Sequence, residues 1–253
     1  MSSRREFEQL LSEGEAVPVD GWDFSWFAGR ATEQRPPWGY QRLMVQRVEA
    51  ARAALDVQTG GGEVLAAVRH PPQVLRATES WPPNVALARA RLSSLGAEVA
   101  EVDDTEPLPF DDRAFDVVVS RHPTVVRWDE IARVLQPGGV YFSQHVGTAS
   151  VHELSAALLG PFEPGSGRSP ERATADLQAA GLRLVDLREA RLRMEFGDIA
   201  AVVAFLRKVI WIVPEFSVDT YRGQLWRLHR DIDAGGHFVA HSTRFLIEAQ
   251  QPA

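Results

Sequence analysis

Apolar runs typical of buried strands alternate with helical patterns along the first 150 residues. This alternation limits the possible folds more than any other feature of the chain. The sequence predicts strands at 54–57, 74–78, 97–102, 115–119 and 140–146, with helices at 82–95 and 128–135. Continuous apolar strands joined through helices pair in parallel and are covered on both faces. The chain is therefore predicted to be an α/β protein with a mostly parallel sheet and helices on both faces.

The composition is that of a globular protein and excludes several chemistries. Of the 253 residues, 45% are hydrophobic and 24% are charged, which is enough apolar material for a full core. The net charge of −7 disfavours a nucleic-acid partner, because such proteins concentrate Lys and Arg on one face. The chain has no cysteine, which excludes disulfides, a thiolate zinc site and a cysteine nucleophile.

The sequence also predicts a cytoplasmic protein that does not enter a membrane. Arg4 and Arg5 near the N-terminus are not followed by an apolar run, so this segment does not have the pattern of a signal peptide. The longest apolar run, 199–206, is far too short to cross a bilayer. The lack of cysteine fits a reducing compartment. The oligomeric state stays open.

A single domain over 1–253 accounts for the remaining segments. Residues 1–38 are expected to form an aromatic-rich N-terminal cap, and 39–150 the ligand-binding core. Strands at 182–187 and 237–247 follow, and helices at 198–208 and 218–232 between them form a helical insertion over 198–235. Long additions to a compact sheet often build a lid or a pocket, so these N-terminal and C-terminal elements are predicted to act as lids.

A glycine-rich turn follows the first predicted strand, in the run Asp56-Val-Gln-Thr-Gly-Gly-Gly62. Such a turn brings backbone N–H groups close to a nucleotide-like ligand, and Gly60 and Gly62 supply a permissive backbone. Asp56 is expected to orient the turn. Gln58 stands where turns of this kind usually have their first glycine. It is therefore either a tolerated substitution or the mark of a weakened or repurposed site.

Two carboxylates occupy matching places after the next two strands. Glu79 ends the second strand, where a carboxylate can accept hydrogen bonds from both hydroxyls of a ribose. Asp104 follows the third strand and can accept from an adenine amino group, while the N–H of Thr105 can donate to the ring. The carboxyl ends of parallel strands share one sheet edge, which favours a ligand site over solvated loop carboxylates. Asp103 is the neighbouring alternative to Asp104.

These features resemble the class I S-adenosylmethionine-dependent methyltransferases, in particular the small-molecule, methyltransferase type 11 branch. Two runs carry the resemblance: Asp104-Thr-Glu-Pro-Leu-Pro-Phe110 with Phe115-Asp116, and Glu130-Ile-Ala-Arg-Val-Leu-Gln-Pro-Gly-Gly139. The resemblance covers 38–150. A dinucleotide-binding turn fits less well, because Leu65 stands at the last glycine of the pattern G-x-G-x-x-G.

The resemblance implies a Rossmann-like fold with a seven-stranded, mostly parallel sheet whose last strand is antiparallel. It also implies S-adenosylmethionine as the cofactor, with Ser120 near the methionine part and Trp81 against the adenine face. The full set of predicted cofactor contacts is Asp56, Gln58, Thr59, Gly60, Gly62, Glu79, Ser80, Trp81, Asp104, Thr105 and Ser120.

Two histidines are the candidate general bases. His122 follows the fourth strand of the core and His145 ends the fifth, so both are expected near the ligand edge of the sheet. The alternative for each is a structural or surface role. The histidines do not combine with a carboxylate at metal-ligand spacing, so no metal is predicted.

Aromatic residues near the N-terminus form either a local core or the wall of an apolar pocket, and the two can coexist. Residues Trp211 and Phe216 of the helical insertion are expected to close that pocket. The N-terminal aromatic set consists of Trp22, Phe24, Trp26, Phe27, Trp38 and Tyr40.

The sequence thus predicts an enzyme that moves the sulfonium methyl of S-adenosylmethionine to a small hydrophobic molecule at O, N or C. A base is needed only where the acceptor must lose a proton, and His122 is its first candidate. The alternative, motivated by Gln58, is a protein that binds S-adenosylmethionine without methyl transfer, as a regulator, a scaffold or a cyclase-like enzyme. The expected partner is a small-molecule acceptor, without nucleic acid or membrane.

Overall fold

A computed structural model describes residues 4–19 and 24–253, within which eight strands and eight α-helices follow one another along the chain. The strands are β1 (Ala31–Glu33), β2 (Ala53–Val57), β3 (Val74–Glu79), β4 (Glu98–Glu101), β5 (Phe115–Arg121), β6 (Leu135–Val146), β7 (Arg183–Phe196) and β8 (Phe238–Gln250). The helices are α1 (Arg4–Ala16), α2 (Tyr40–Ala50), α3 (Pro82–Leu92), α4 (Trp128–Val134), α5 (His152–Leu159), α6 (Pro170–Ala179), α7 (Ile199–Lys208) and α8 (Val218–Gly235).

Helix ends follow local sequence signals. Ser169 precedes α6 and its hydroxyl accepts a hydrogen bond from the N–H of Arg172 at 3.1 Å, while Pro170 occupies the first helical position. Asp198 caps α7 in the same way, accepting from the N–H of Ala201 at 2.7 Å. Such caps satisfy N–H groups that have no partner inside the helix, and the cap at Asp198 explains why the predicted start of the helix at 198–208 is accurate.

The described chain divides into two compact units. The sheet unit comprises Pro36–Gly147, Ser166–Ala190 and Arg244–Ala253. The helical unit comprises the described residues up to Arg35 together with Thr148–Gly165 and Arg191–Thr243. The prediction of a single domain with a cap, a core and an insertion stays a prediction.

The strand order is β1-β7-β8-β6-β5-β2-β3-β4, and the long strands β7 and β8 contribute residues to both units. In the sheet unit β2 to β6 pair in parallel, and β8 runs antiparallel to β6. The predicted Rossmann-like, mostly parallel sheet and its antiparallel last strand are therefore confirmed. Parallel pairing places the ends of β2, β3, β4, β5 and β6 at one edge, where open α/β sheets bind ligands.

The predicted count of seven strands needs correction to eight. The additional strand, β1, has three residues and pairs antiparallel with the end of β7, from Ala31 opposite Phe196 to Glu33 opposite Met194. Three residues are too few for a recognisable alternation of apolar and polar positions. Strand β7, predicted to end at 187, extends to Phe196, and its last three residues pair with β1.

The helical unit has a core of its own, built from α1, α5, α7 and α8. Helix α7 is buried along almost its whole length, because its sequence is apolar on all sides. Within residues 4–19 and 24–253, no helix is both long and apolar enough to span a membrane. The helices at 198–208 and 218–232 are confirmed as α7 and α8, and their role as lids stays a prediction.

Candidate functional site

The glycine-rich turn and Glu79 meet at the carboxyl edge of the sheet unit. The N–H of Gly60 donates to Oε2 of Glu79 at 2.8 Å, and the N–H of Trp81 donates to Oε1 at 3.0 Å. Glu79 is only 7% exposed, so these two bonds fix its carboxylate. A carboxylate has about four lone pairs, and two remain for a ligand.

Asp56 lies behind the turn and holds it from the sheet side. The hydroxyl of Thr59 donates to Oδ2 of Asp56 at 2.7 Å, and the N–H of Thr59 donates to the carbonyl of Thr78 at 2.9 Å. Burial raises the pKa of Asp56 to about 7, with the hydrogen bond from Thr59 opposing this and the charge of Glu79 adding to it. Asp56 is thus hydrogen-bonded to the turn through Thr59, and its part in a cofactor site stays a prediction.

The backbone of the turn requires glycine at two positions. Gly60 and Gly62 have φ angles of +64° and +79°, in the left-handed region that glycine adopts without strain. A Cβ on Gly62 would lie 2.9 Å from Leu92, whereas a Cβ on Gly60 would meet only the Glu63 carboxylate, at 3.8 Å. Gly62 thus serves packing, while Gly60 leaves open space in front of its backbone.

Gln58 adopts the glycine-like conformation, with φ +57°, and its side chain ties the turn to the loop after β5. Its Nε2 donates to the carbonyl of Val125 at 2.6 Å, and its Oε1 accepts from the N–H of Thr124 at 2.7 Å. The amide therefore pairs with backbone groups at both ends. Gln58 keeps the backbone shape of the expected glycine and adds a cross-link that glycine does not have.

We expect Gln58→Ala to be less stable than Gln58→Gly by about 1 kcal/mol in urea denaturation. Both variants lose the amide hydrogen bonds, but only alanine places a Cβ on a left-handed backbone, at a cost of about 1–2 kcal/mol. In α2, the exposed Gln46 provides the control. There the order reverses, because glycine destabilises a helix interior by about 1 kcal/mol relative to alanine. If the alanine and glycine variants had the same order of stability at both positions, Gln58 would not have a left-handed backbone.

The predicted adenine-binding residues are engaged with neighbouring loops. Oδ2 of Asp104 accepts from the hydroxyl of Thr124 at 2.6 Å, so the Gln58 cross-link extends to Asp104. The N–H and hydroxyl of Thr105 both donate to Oδ1 of Asp103, at 2.8 and 2.6 Å. The N–H of Thr105 would have to leave Asp103 before it could reach a ligand.

Gln58, Asp104 and Ser120 line one cleft, which we call the Gln58 cleft. The hydroxyl of Ser120 donates to the carbonyl of Val57 at 2.9 Å. Tyr141 is fully buried on the wall of this cleft, and its hydroxyl has no partner of hydrogen-bond geometry although Ser120 and Ser143 lie near it. A buried polar atom without a partner is costly, which indicates a place where a bound molecule supplies the missing bond.

The other predicted contacts lie beside this cleft and do not line it. Gly60, Gly62 and Glu79 form the turn described above, and Ser80 is half-buried beyond it. The Trp81 side chain is 45% exposed. The structure therefore brings the predicted contacts together as two adjacent groups, joined through Gln58 and Thr59 along the chain.

His122 is part of a hydrogen-bonded chain within the sheet unit. Nε1 of Trp38 donates to Oε1 of Gln144 at 2.7 Å, which leaves Nε2 of Gln144 to donate to Nε2 of His122 at 2.9 Å. Burial, with the nearby positive charge of Arg121 and Arg244, holds the pKa of His122 well below its usual value. His122 is a neutral ring whose Nε2 lone pair is already used. Its role as a general base stays a prediction.

His145 lies elsewhere on the same unit and does not line the Gln58 cleft. Its Nε2 is hydrogen-bonded to Oγ of Ser143 at 2.6 Å, and burial lowers its pKa to about 3. The ring is therefore neutral at physiological pH. A catalytic role for His145 also stays a prediction.

Sequence reasoning missed Tyr141 and Ser143 inside β6, although it singled out His145 on the same strand. Tyr141, Ser143 and His145 alternate along this strand and so point to one face of the sheet. The available signal was a polar or hydroxyl-bearing residue at every second position of the strand from 141 to 145. Tyr40 was assigned only to an aromatic set, yet its hydroxyl donates to the carbonyl of Ser120 at 2.8 Å.

The aromatic set does not form one core. In the helical unit Phe27 is buried, and Trp26 and Phe216 pack against the same core. Phe24 and Trp211 are 41% exposed each. In the sheet unit Trp38 and Tyr40 are buried in the core, and Trp22 lies outside the described residues. The aromatic pocket stays a prediction. Within the described ranges, no three His, Asp or Glu side chains are arranged to hold a metal ion, and a metal-free site likewise stays a prediction.

Comparisons with known proteins identify the sheet unit. Residues 55–143 match the family model described as a methyltransferase domain, and this segment contains the turn, Glu79 and Asp104. The chain therefore contains an S-adenosylmethionine-dependent methyltransferase domain. A malonyl-[acyl-carrier protein] O-methyltransferase from Marinomonas is 26% identical over 238 residues, covering 84% of this chain and 87% of the relative.

Solved structures share the fold of this methyltransferase at low identity. The YcgJ protein from Bacillus subtilis has a TM-score of 0.60 and 19% identity, covering 85% of this chain and 98% of its own. The [4+2]-cyclase SpnF has a TM-score of 0.53 and 18% identity, with 97% and 93% covered. These likenesses establish the fold, whereas the family match and the site geometry bear on the chemistry.

Proposed function

We propose that this methyltransferase acts on a small hydrophobic acceptor and holds S-adenosylmethionine through Gly60, Glu79 and Asp104. The observation that carries the proposal is the 2.8 Å hydrogen bond between the N–H of Gly60 and the carboxylate of Glu79. It fixes the acid at the glycine-rich turn with two lone pairs free for the ribose hydroxyls. Asp56, Gln58, Thr59 and the other predicted contacts then complete the cofactor site.

The residues present fit this cofactor in three respects. Gly60 leaves room in front of its backbone, Glu79 has unused acceptor capacity, and the buried hydroxyl of Tyr141 has no partner. When bound, S-adenosylmethionine supplies an electrophilic methyl group on its sulfonium. The chain's own task is to orient the two reactants and to exclude water, which is where Tyr141 and the apolar strand ends contribute.

The nature of the acceptor bears on the need for a base. The Marinomonas relative is named as an O-methyltransferase, which supports oxygen as the methylated atom. A carboxylate oxygen is already ionised at neutral pH, so it needs no general base. This agrees with the neutral, hydrogen-bonded state of His122. A cytoplasmic location and the absence of a nucleic-acid partner are further parts of the proposal, and both rest on composition.

A titration combined with a product assay tests the proposal. We expect isothermal titration to show binding of S-adenosylmethionine and of S-adenosylhomocysteine. We also expect mass spectrometry to detect a methylated product from a panel of small hydrophobic acids, alcohols and amines. Failure to bind either cofactor form would contradict the assigned site. Binding without a product from any class would favour the cofactor-binding alternative, to which the cyclase SpnF adds a precedent of fold only.

A further inference from the structure

A second cleft lies in the sheet unit beside β6 and α6, and we call it the α6 cleft. It shares Pro123 and Val126 with the Gln58 cleft, so the loop after β5 separates the two. Its lining includes Trp128, His145, Arg168, Ser169, Asp176 and Phe245.

His145 is held rigidly on the wall of the α6 cleft. Its ring stacks on Phe245 with centroids 4.6 Å apart and on Trp128 with centroids 6.2 Å apart. Its Nε2 pairs with Ser143, and the residue is only 6% exposed. Nδ1 has no hydrogen-bond partner among residues 4–19 and 24–253. A ring nitrogen without a partner on a cleft wall is a preformed polar contact for a ligand.

Two charged residues, Arg168 and Asp176, line the α6 cleft. Asp176, its one acidic lining residue, forms an ion pair with Arg172 at 2.9 Å. Arg168 has no ion pair or hydrogen bond within the part of the chain that the structure describes. The N-terminus of α6 is already capped by Ser169 and therefore adds no free N–H at that position. Arg168 is thus the unpaired charge of the cleft, and it favours an anionic ligand.

We propose that the α6 cleft binds a small organic acid, with its carboxylate on Arg168, its polar edge at Nδ1 of His145 and its apolar body near Trp128 and Phe245. The acid is either the methyl acceptor or an effector that does not react. Binding at this cleft is independent of the proposed cofactor site, and only the acceptor role rests on the proposed function. The loop from Pro123 to Val126 lines both clefts, so an acid bound in the α6 cleft lies next to the Gln58 cleft in either role.

Titration with phenylacetate tests the cleft directly. We expect Arg168→Gln to weaken binding of phenylacetate at least 10-fold, since a hydrogen bond to a charged group contributes about 1.5–3 kcal/mol. The matched control is Arg42→Gln, which removes the same charge from an exposed position of α2 that does not line the cleft. Phenylacetamide, which has the same shape without the charge, is expected to bind weakly to all three proteins.

Separate measurements distinguish a methyl acceptor from an effector and show whether the cofactor site is intact. Binding of S-adenosylhomocysteine, measured on the same proteins, reports the cofactor site and is expected to be unchanged by Arg168→Gln. A methyl ester that the wild type forms and Arg168→Gln does not would identify the acid as the acceptor. Phenylacetate that shifts the affinity for S-adenosylhomocysteine without an ester would identify an effector. Absent binding of phenylacetate, or equal binding by wild type and Arg168→Gln, would overturn the proposal.

Discussion

Glu79→Gln is expected to weaken binding of S-adenosylhomocysteine by about 100-fold. Replacing one carboxylate oxygen with an amide places a donor against the N–H of Gly60 or Trp81, so an anchor of the turn is lost. The remaining oxygen also holds a ribose hydroxyl less strongly. Two hydrogen bonds to a charged group are worth about 3 kcal/mol or more together, and 1.4 kcal/mol corresponds to about tenfold. Isothermal titration measures the change.

A matched carboxylate on the next strand serves as the control for Glu79. Glu101 lies directly opposite Glu79 in the pairing of β3 with β4, but it is exposed and makes none of the contacts described above. Glu101→Gln is therefore expected to bind S-adenosylhomocysteine as the wild type does. A folded Glu79→Gln protein that binds equally tightly would show that the ribose site lies elsewhere.

Asp56→Asn is expected to gain stability relative to the wild type as pH rises. The pKa of Asp56 goes from 3.8 in the unfolded chain to about 7 in the folded protein because burial disfavours the charge. The unfolded chain thus holds fewer protons between these values, and the wild type loses stability as pH rises through them. Asparagine does not ionise, so the Asp56→Asn protein does not lose stability in this way. Between pH 5 and pH 8 the difference in unfolding free energy, Asp56→Asn minus wild type, is expected to grow by about 3 kcal/mol.

Two buried histidines also make stability depend on pH, with the opposite sign. The pKa values of His122 and His145 are lowered by burial, so the unfolded chain binds protons that the folded protein does not, and stability falls as pH drops below 6.5. This term is common to both proteins and cancels in the difference. Urea denaturation at pH 5 and pH 8 measures the difference in unfolding free energy between Asp56→Asn and the wild type. The variant Asp111→Asn, at an exposed position, is the control. A difference that does not change with pH would show that Asp56 is ionised in the folded protein.

The place of the proposed cofactor residues at one sheet edge could be inferred from the sequence because it depends on strand ends. Gly60, Glu79 and Asp104 each follow a strand, and parallel strands bring their carboxyl ends to one edge whatever the details of packing. Helix starts at Pro170 and Ile199 were predictable from their caps, which act within three residues. Strand β1 was not predictable, because its three residues become a strand only through pairing with β7.

The sequence by itself determined the α/β alternation, the glycine-rich turn and the order of acids along the carboxyl edge, since these follow from contacts between near neighbours and from parallel pairing. Only the tertiary structure decided what the unusual side chain at the turn does. Gln58 meets Thr124, 66 positions later, because the loop after β5 folds over the turn. The neutral state of His145 and the unpaired charge of Arg168 were decided in the same way. Burial and the lack of a partner depend on segments that are distant in sequence, and no local pattern encodes them.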